Sequence, residues 1–173
     1  MFWAQRHLDL FLWRTRLHCR INVRVLARIS SSARAAIREG CASAGESEAC
    51  GLLLGRVGND RWWVETATRA RNISAEPRRR FEIDPTHVVA AHRAARMPGA
   101  ASVIGVWHSH PGGLLFPSET DRAGATERGW LWLIADASGR HIRGFVPAAS
   151  APGGFLPVRL RAGVPIDSCA DGC

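Results

Sequence analysis

The sequence contains no lysine, and all 23 of its basic residues are arginine. With alanine and glycine abundant, this reads as nucleotide-composition bias in the gene rather than as a selected basic surface. The formal charge of +8 is therefore a weak pointer, and no specific nucleic acid is expected as a partner. A basic face toward an acidic protein or RNA is the competing reading. Long apolar runs are also missing. Arg and Asp break every hydrophobic stretch before the roughly 18 residues a membrane span requires. Arg6, His7 and Asp9 interrupt residues 1–12 where a secretory signal needs its apolar centre. A paired cysteine set is absent as well. Cys19, Cys41, Cys50, Cys169 and Cys173 are odd in number and scattered, which argues against a disulfide framework and for a reducing compartment, with cytoplasm as the default. Cys169 and Cys173 lie in a polar tail without a second pair at zinc spacing, so a frayed terminus is the expectation there. There is no internal repeat and no sign of a second domain. What remains, 46% hydrophobic and 22% charged residues in 173, suits one soluble core.

Residues 1–20 set Phe2, Trp3, Leu8, Leu10, Phe11, Leu12, Trp13 and Leu17 among Arg and His, a pattern compatible with an amphipathic helix or with an added leader of little structure. The domain is expected over 21–161, followed by a flexible tail over 162–173. Ile21, Val23 and Val25 alternate with polar residues as in a half-buried strand. Ser30 to Ser32 offer N-caps for a helix over 33–44, ended near Gly45. A strand over 48–56, a turn over 57–60 and a returning strand over 61–68 form a hairpin. Residues 68–80 read as a basic loop, 81–84 as a short strand, and Pro85 opens a helix to about Met97 with Val88, Val89, Ala91 and Ala95 inward. Further on, a helix over 119–128 closed by Gly129 is followed by strands over 130–135, 140–146 and 155–161, the last an edge strand because of Pro157. Helices alternating with strands and hairpins give an α/β or α+β domain around one mixed sheet.

The chemistry concentrates between His108 and Asp121. Residues 101–107 are apolar, with Val103, Ile104, Val106 and Trp107, and read as a buried strand whose end carries the histidines. Residues two apart on a strand share a face, so His108 and His110 can offer both imidazoles to one ion. Pro111, Gly112 and Gly113 turn the chain. Ser118, three residues before Asp121, then has the form of a helix start that brings the carboxylate back toward the histidines. Singly, each residue has a plain structural reading: a capping box, two strand histidines, a surface carboxylate. Together they read as a metal site. His7, His18, His87, His92 and His141 lack such an arrangement and are expected to be structural or exposed.

Two imidazoles and a carboxylate supply three ligands and leave a fourth position open, the count of a catalytic rather than a structural zinc site. Such a zinc lowers the pKa of its water toward about 7 and polarises a carbonyl. A second carboxylate must then carry the proton to the leaving amine, and Glu46 and Glu48 are the candidates. Ser118 is the natural donor to a developing oxyanion.

His108-Ser109-His110-Pro111, with Ser118 and Asp121 at their spacings, resembles the JAMM motif of the MPN+ metalloproteases. Residues 48–55 resemble that family's glutamate-bearing strand, and 81–85 the segment before its second helix. The resemblance covers about 21–161. It implies a single MPN-like, cytidine-deaminase-like domain with a mixed central sheet flanked by helices. It implies one Zn2+ per chain on His108, His110 and Asp121, with Glu48 rather than Glu46 as general acid/base and Ser118 as oxyanion stabiliser. It also implies hydrolysis of amide or isopeptide bonds after the C-terminal Gly-Gly of a ubiquitin-like or sulfur-carrier protein. A tail without side chains can enter a narrow cleft in extended form. The long insertions of assembly-bound relatives are lacking, so the chain is expected to act as a monomer or homodimer. Residues 68–83 are expected to border the groove for the tail, while Arg78 to Arg80, expensive to bury, read first as a solvated run. Two alternatives stand beside this: a non-catalytic MPN-type module that binds a ubiquitin-like partner, and a radC-type DNA-repair-associated metalloprotein. The radC-type pattern has Asn between its histidines, where this chain has Ser109.

Overall fold

The computed structural model describes residues 26–58 and 61–163. The expected strand over 21–25, the N-terminal extension, the tip of the hairpin at 59–60 and nearly all of the tail lie outside the described residues. Among the described residues the order is β1 (Leu26–Ile29), α1 (Ser31–Ala44), β2 (Cys50–Gly58), β3 (Arg61–Ala67), α2 (Pro85–Ala94), β4 (Ser102–His110), α3 (Glu119–Gly124), β5 (Leu131–Asp136), β6 (Ile142–Pro147) and β7 (Phe155–Ala162). The strands form one mixed sheet in the order β1-β3-β2-β4-β5-β6-β7, and β1 pairs in parallel with both β3 and β7, so the sheet closes on itself.

That closure corrects the edge expected at Pro157. The first half of β7 pairs with β6 and the second half with β1, so each half is hydrogen-bonded along one side. A residue without an N–H is tolerated where one side carries no ladder.

Period-two patterning divides the core. Leu53, Trp107, Leu131 and Leu133 face α1, whereas Leu52, Val106, Trp132 and Ile134 face the other way. Strands β2, β4 and β5 are thus buried on both faces, which explains their nearly continuous apolar runs. Helix α1 starts where Ser30 Oγ accepts from Ala33 N at 3.0 Å and donates to the Glu65 carbonyl at 2.7 Å, tying the cap to β3. It buries Ala33, Ile37, Gly40 and Cys41, a stripe at helical spacing, and stops at Gly45 with φ 62°. Two glycines make room for Trp107 beneath it. A Cβ on Gly40 would lie 2.5 Å from the indole, and one on Gly51 would lie 1.8 Å from the Thr68 carbonyl that accepts the Trp107 Nε1–H at 2.7 Å.

Helix α1 begins two residues before its expected start, whereas α2 and α3 are shorter than their sequence patterns indicated. α2 ends at Ala94, and among the residues expected inward Val88, Ala91 and Ala95 are only half-buried while Val89 is exposed. It leans on the sheet rather than inserting into the core, so the apolar positions had no deep groove to fill. α3 ends at Gly124, five residues before Gly129, although Gly129 does take a positive φ of 79°. The strand expected over 81–84 is reduced to one bridge between Asn72 and Ile83.

Candidate metal and catalytic site

β4 carries its two histidines at its end, as expected, with His110 its last residue. It is flanked by β2 and β5 along this stretch, with Cys50 and Ile134 opposite His108. His108 and His110 share a face, as period two requires, and their Nε2 atoms lie 3.0 Å apart. The turn after the strand closes with Gly113 N donating to the His110 carbonyl, and the chain returns to place α3 beside the imidazoles.

Ser118 caps α3 reciprocally. Its Oγ accepts from Asp121 N at 3.1 Å, while Ser118 N and Oγ each donate to Asp121 Oδ2 at 2.7 Å. Thus anchored, the Asp121 carboxylate spans both rings, with Oδ1 at 3.2 Å from His108 Nε2 and Oδ2 at 3.3 Å from His110 Nε2. Glu48 arrives from the residues just before β2. A donor atom of Glu48, of His108 and of His110 all lie within 4.8 Å of one another, and all three residues are buried. Glu46, the other carboxylate considered, is instead exposed and paired with Arg78.

The surroundings hold these groups in place. His110 Nδ1 lies 2.6 Å from the Leu114 carbonyl, to which it donates, and this leaves Nε2 to face the site. Phe81 stacks on His108 at 4.4 Å between centroids, and Trp132 meets the same ring edge-on at 5.9 Å. Ser109, pointing to the opposite face, takes both backbone groups of Ala49. Its Oγ accepts from Ala49 N at 2.9 Å, and its N donates to Ala49 O at 2.9 Å. The residue between the histidines therefore fixes the distance from Glu48 to the histidine strand.

Electrostatics follow from burial and these bonds. Burial pushes the Glu48 carboxyl up to about 7, with Asp121 adding to the rise and His110 opposing it. A carboxyl in that range can both take and release a proton near neutrality. For Asp121, burial alone would raise the pKa, but hydrogen bonds with His108, His110 and Ser118 outweigh it and hold the carboxylate well below its usual range. Burial lowers His108 despite its bond to Asp121. In His110 burial works in the same direction but is outweighed by Asp121, the Leu114 carbonyl and Glu48, so its pKa is raised. The donor set, two imidazole nitrogens and an ionised carboxylate turned to one buried point with a second carboxyl beside it, fits a divalent cation that accepts nitrogen and oxygen ligands.

A cleft of about 240 Å³ opens beside Asp121, walled by Phe81, Ile83, Val106, Trp130 and Trp132. Its rim includes Arg80 and Glu82, so part of the segment expected to border a substrate groove does line a cavity next to the site.

A model of the prokaryotic homologs of the JAB domain matches residues 25–145. The chain belongs to this family. It is similar to a protein of Haloferax volcanii named Desampylase, at 38% identity over 103 residues that make up 60% of this chain and 72% of the relative. The fold is similar to that of a Desulfitobacterium hafniense protein known from a solution structure, with a TM-score of 0.71 at 23% identity over 82% of this chain and 96% of the other. A second solution structure, of a Salinibacter ruber protein, aligns with a TM-score of 0.57 at 21% identity over 80% and 93% of the two chains. The JAMM/MPN resemblance in the motif is thereby borne out, as is the mixed α/β domain. The enzyme class read from the motif, a hydrolase acting on isopeptide bonds, agrees with the family and with the named relative.

Other expectations resolve in the same geometry. His87 Nε2 meets Thr68 Oγ1 at 2.8 Å, His92 stacks near Trp130, and His141 is exposed against Asp136, so none joins the site. His7 and His18 lie outside the described residues. Cys41 and Cys50 are free and buried, and burial pushes their thiols up to about 11 and about 12. Among the described residues no helix is long and apolar enough to cross a membrane. The roles of Phe81, Ser109 and the Leu114 carbonyl were not foreseen. Phe81 stood only as part of a resembling segment, and a backbone carbonyl leaves no mark in a sequence.

Proposed function

We propose that this chain is a zinc-dependent isopeptidase that hydrolyses amide or isopeptide bonds after the C-terminal Gly-Gly of a ubiquitin-like or sulfur-carrier protein. The observation that carries the proposal is the meeting of His108, His110 and Asp121 at one buried point with Glu48 alongside. His108, His110 and Asp121 would hold the zinc, which supplies Lewis acidity toward the scissile carbonyl and makes a water nucleophilic near neutral pH.

The protein groups divide the remaining work. Glu48, buried and outside the three-ligand set, takes the proton of the attacking water on its carboxylate and delivers it to the leaving amine. Ser118 is the hydrogen-bond donor for the oxygen that gains charge as the carbonyl becomes tetrahedral. Its single hydroxyl proton is given to Asp121 Oδ2 at 2.7 Å, and its oxygen lies 2.8 Å from Thr120 Oγ1, so serving the oxyanion requires that proton to turn away from Asp121. Asp121, held ionised by its hydrogen bonds with His108 and His110 and by its Ser118 cap, keeps both imidazoles turned inward. Ser109 and the Leu114 carbonyl hold the strand and the His110 ring in register.

The relative named Desampylase supports a conjugated ubiquitin-like protein as the substrate. The aromatic cleft beside Asp121 offers room for an extended tail next to the reacting bond, and the exposed Arg78 and Arg80 lie on the segment that borders it. A panel of ubiquitin-like conjugates ending in Gly-Gly, Gly-Ala or Ala-Gly tests this. Cleavage of the Gly-Gly conjugate is expected to exceed that of either alanine variant by about 100-fold, since a Cβ in a narrow cleft displaces the reacting carbonyl. Equal cleavage of all three would count against Gly-Gly selectivity.

A further inference from the structure

We propose that Asn72 is a positioning residue for the hydrolysis, holding the backbone of Glu48 and the turn that lays Phe81 against His108 with one carboxamide. This inference rests on the hydrolase reading of the site.

Asn72 uses all four hydrogen-bonding positions of its side chain. Nδ2 donates to the Glu48 carbonyl at 3.0 Å and to the Arg80 carbonyl at 3.1 Å. Oδ1 accepts from Ser74 N and from Glu82 N, each at 3.0 Å. A primary amide has two N–H donors and an oxygen with two lone pairs, so this is its full complement. The contacts join three places: the start of the loop at Ser74, Glu48 two residues before β2, and the two neighbours of Phe81.

Glu48 needs such support because it precedes β2, which begins at Cys50, and has no ladder partner of its own. The same loop supplies the second contact, with Glu48 N donating to the Pro77 carbonyl at 2.6 Å. Both backbone groups of Glu48 are thus bound by residues 72–77, and both of Ala49 by Ser109. On the far side, the Arg80 carbonyl and the Glu82 N–H flank Phe81, whose ring stacks on His108 and meets Trp132 edge-on at 5.9 Å. Ser109 ties Ala49 to the histidine strand, and Asn72 completes the hold by fixing the Glu48 carbonyl and the Phe81 turn from outside the reacting groups. Fixing reacting groups to within fractions of an ångström is worth large factors in rate, and outer-shell partners at metal sites carry comparable weight.

Asn72→Asp keeps shape and acceptor but removes both N–H donors, so the Glu48 and Arg80 carbonyls lose their partner. Asn72→Ser is the second variant, should the added charge prevent folding. Ser74→Ala is the control: it removes the hydroxyl that accepts from Glu76 N at 3.1 Å and loosens the same loop without touching Glu48. With a Gly-Gly conjugate, Asn72→Asp is expected to lower kcat by about 10- to 100-fold with KM changed by no more than about twofold and zinc stoichiometry kept. Freeing the Glu48 carbonyl lets the residue move off the Pro77 carbonyl that its N–H bonds, so in metal-free protein the Glu48 amide is expected to exchange about tenfold faster in Asn72→Asp than in the parent. Ser74→Ala is expected to keep kcat within about twofold.

Parental kcat in the Asn72 variants, or a Ser74→Ala loss as large as theirs, would overturn the inference. An inactive parent protein would overturn the hydrolase reading instead. Unchanged exchange of the Glu48 amide in the metal-free variants would then overturn the assignment of Asn72 by itself.

Discussion

Glu48→Gln is expected to retain one equivalent of zinc and to lose hydrolysis of a Gly-Gly conjugate by a factor on the order of 10²–10⁴, the usual share of a general acid/base. The substitution is nearly isosteric. Glu48 is buried, and Asn72 and the Pro77 carbonyl hold it through its backbone, so the carboxamide should occupy the same place. What it loses is the ability to take a proton. Removing the charge from a desolvated carboxyl also relieves a cost of burial, so thermal stability should be equal or higher. Metal analysis, thermal unfolding and kcat measured on one preparation check all three. Full activity in Glu48→Gln would refute the assigned proton carrier, and zinc loss with it would move Glu48 into the ligand set.

His108→Ala is expected to weaken zinc binding by more than about 100-fold, beyond the range that outer-shell changes produce, and to abolish turnover at stoichiometric zinc. It should also cost stability without any metal. The ring is fully buried between Phe81 and Trp132, and its removal leaves a void on the core face lined by Leu52, Trp132 and Ile134. Large-to-small replacements of this kind cost about 2–5 kcal/mol. Competition with a chromophoric chelator reads the first effect and denaturant unfolding of metal-free protein the second. Parental zinc affinity in this variant would remove His108 from the ligand set.

The parts of the fold legible in the sequence are those governed by local periodicity. Short apolar runs bounded by turn residues placed β3, β5 and β6 within a residue or two, and Ser30 and Gly45 bracketed α1 because cap chemistry is local. The pairing of β1 with β7 was not legible. It joins residues some 130 positions apart through backbone groups, and Pro157 pointed to an edge. The length of α3 was misjudged because Gly129 is a proper turn glycine of the following segment, not the helix stop.

At the site, His108, His110 and Asp121 could be joined by spacing alone: two residues along a strand, then a turn and a capped helix. Glu48 could not. Its carboxylate meets the histidines through β2–β4 pairing across 60 residues, and only the resemblance separated it from Glu46, which the structure places in an exposed ion pair. Asn72 left still less trace, because all four partners of its side chain are backbone groups, whose identity no side chain reveals.

Zinc removal and return bears most directly on the proposal of a metal-dependent hydrolase for Gly-Gly tails. The protein would be stripped with a chelator, its metal content measured, and turnover of an isopeptide-linked Gly-Gly conjugate followed as zinc is added. The expected result is turnover close to zero in the stripped protein and recovery that saturates at one zinc per chain. Undiminished cleavage by the metal-free protein would contradict it.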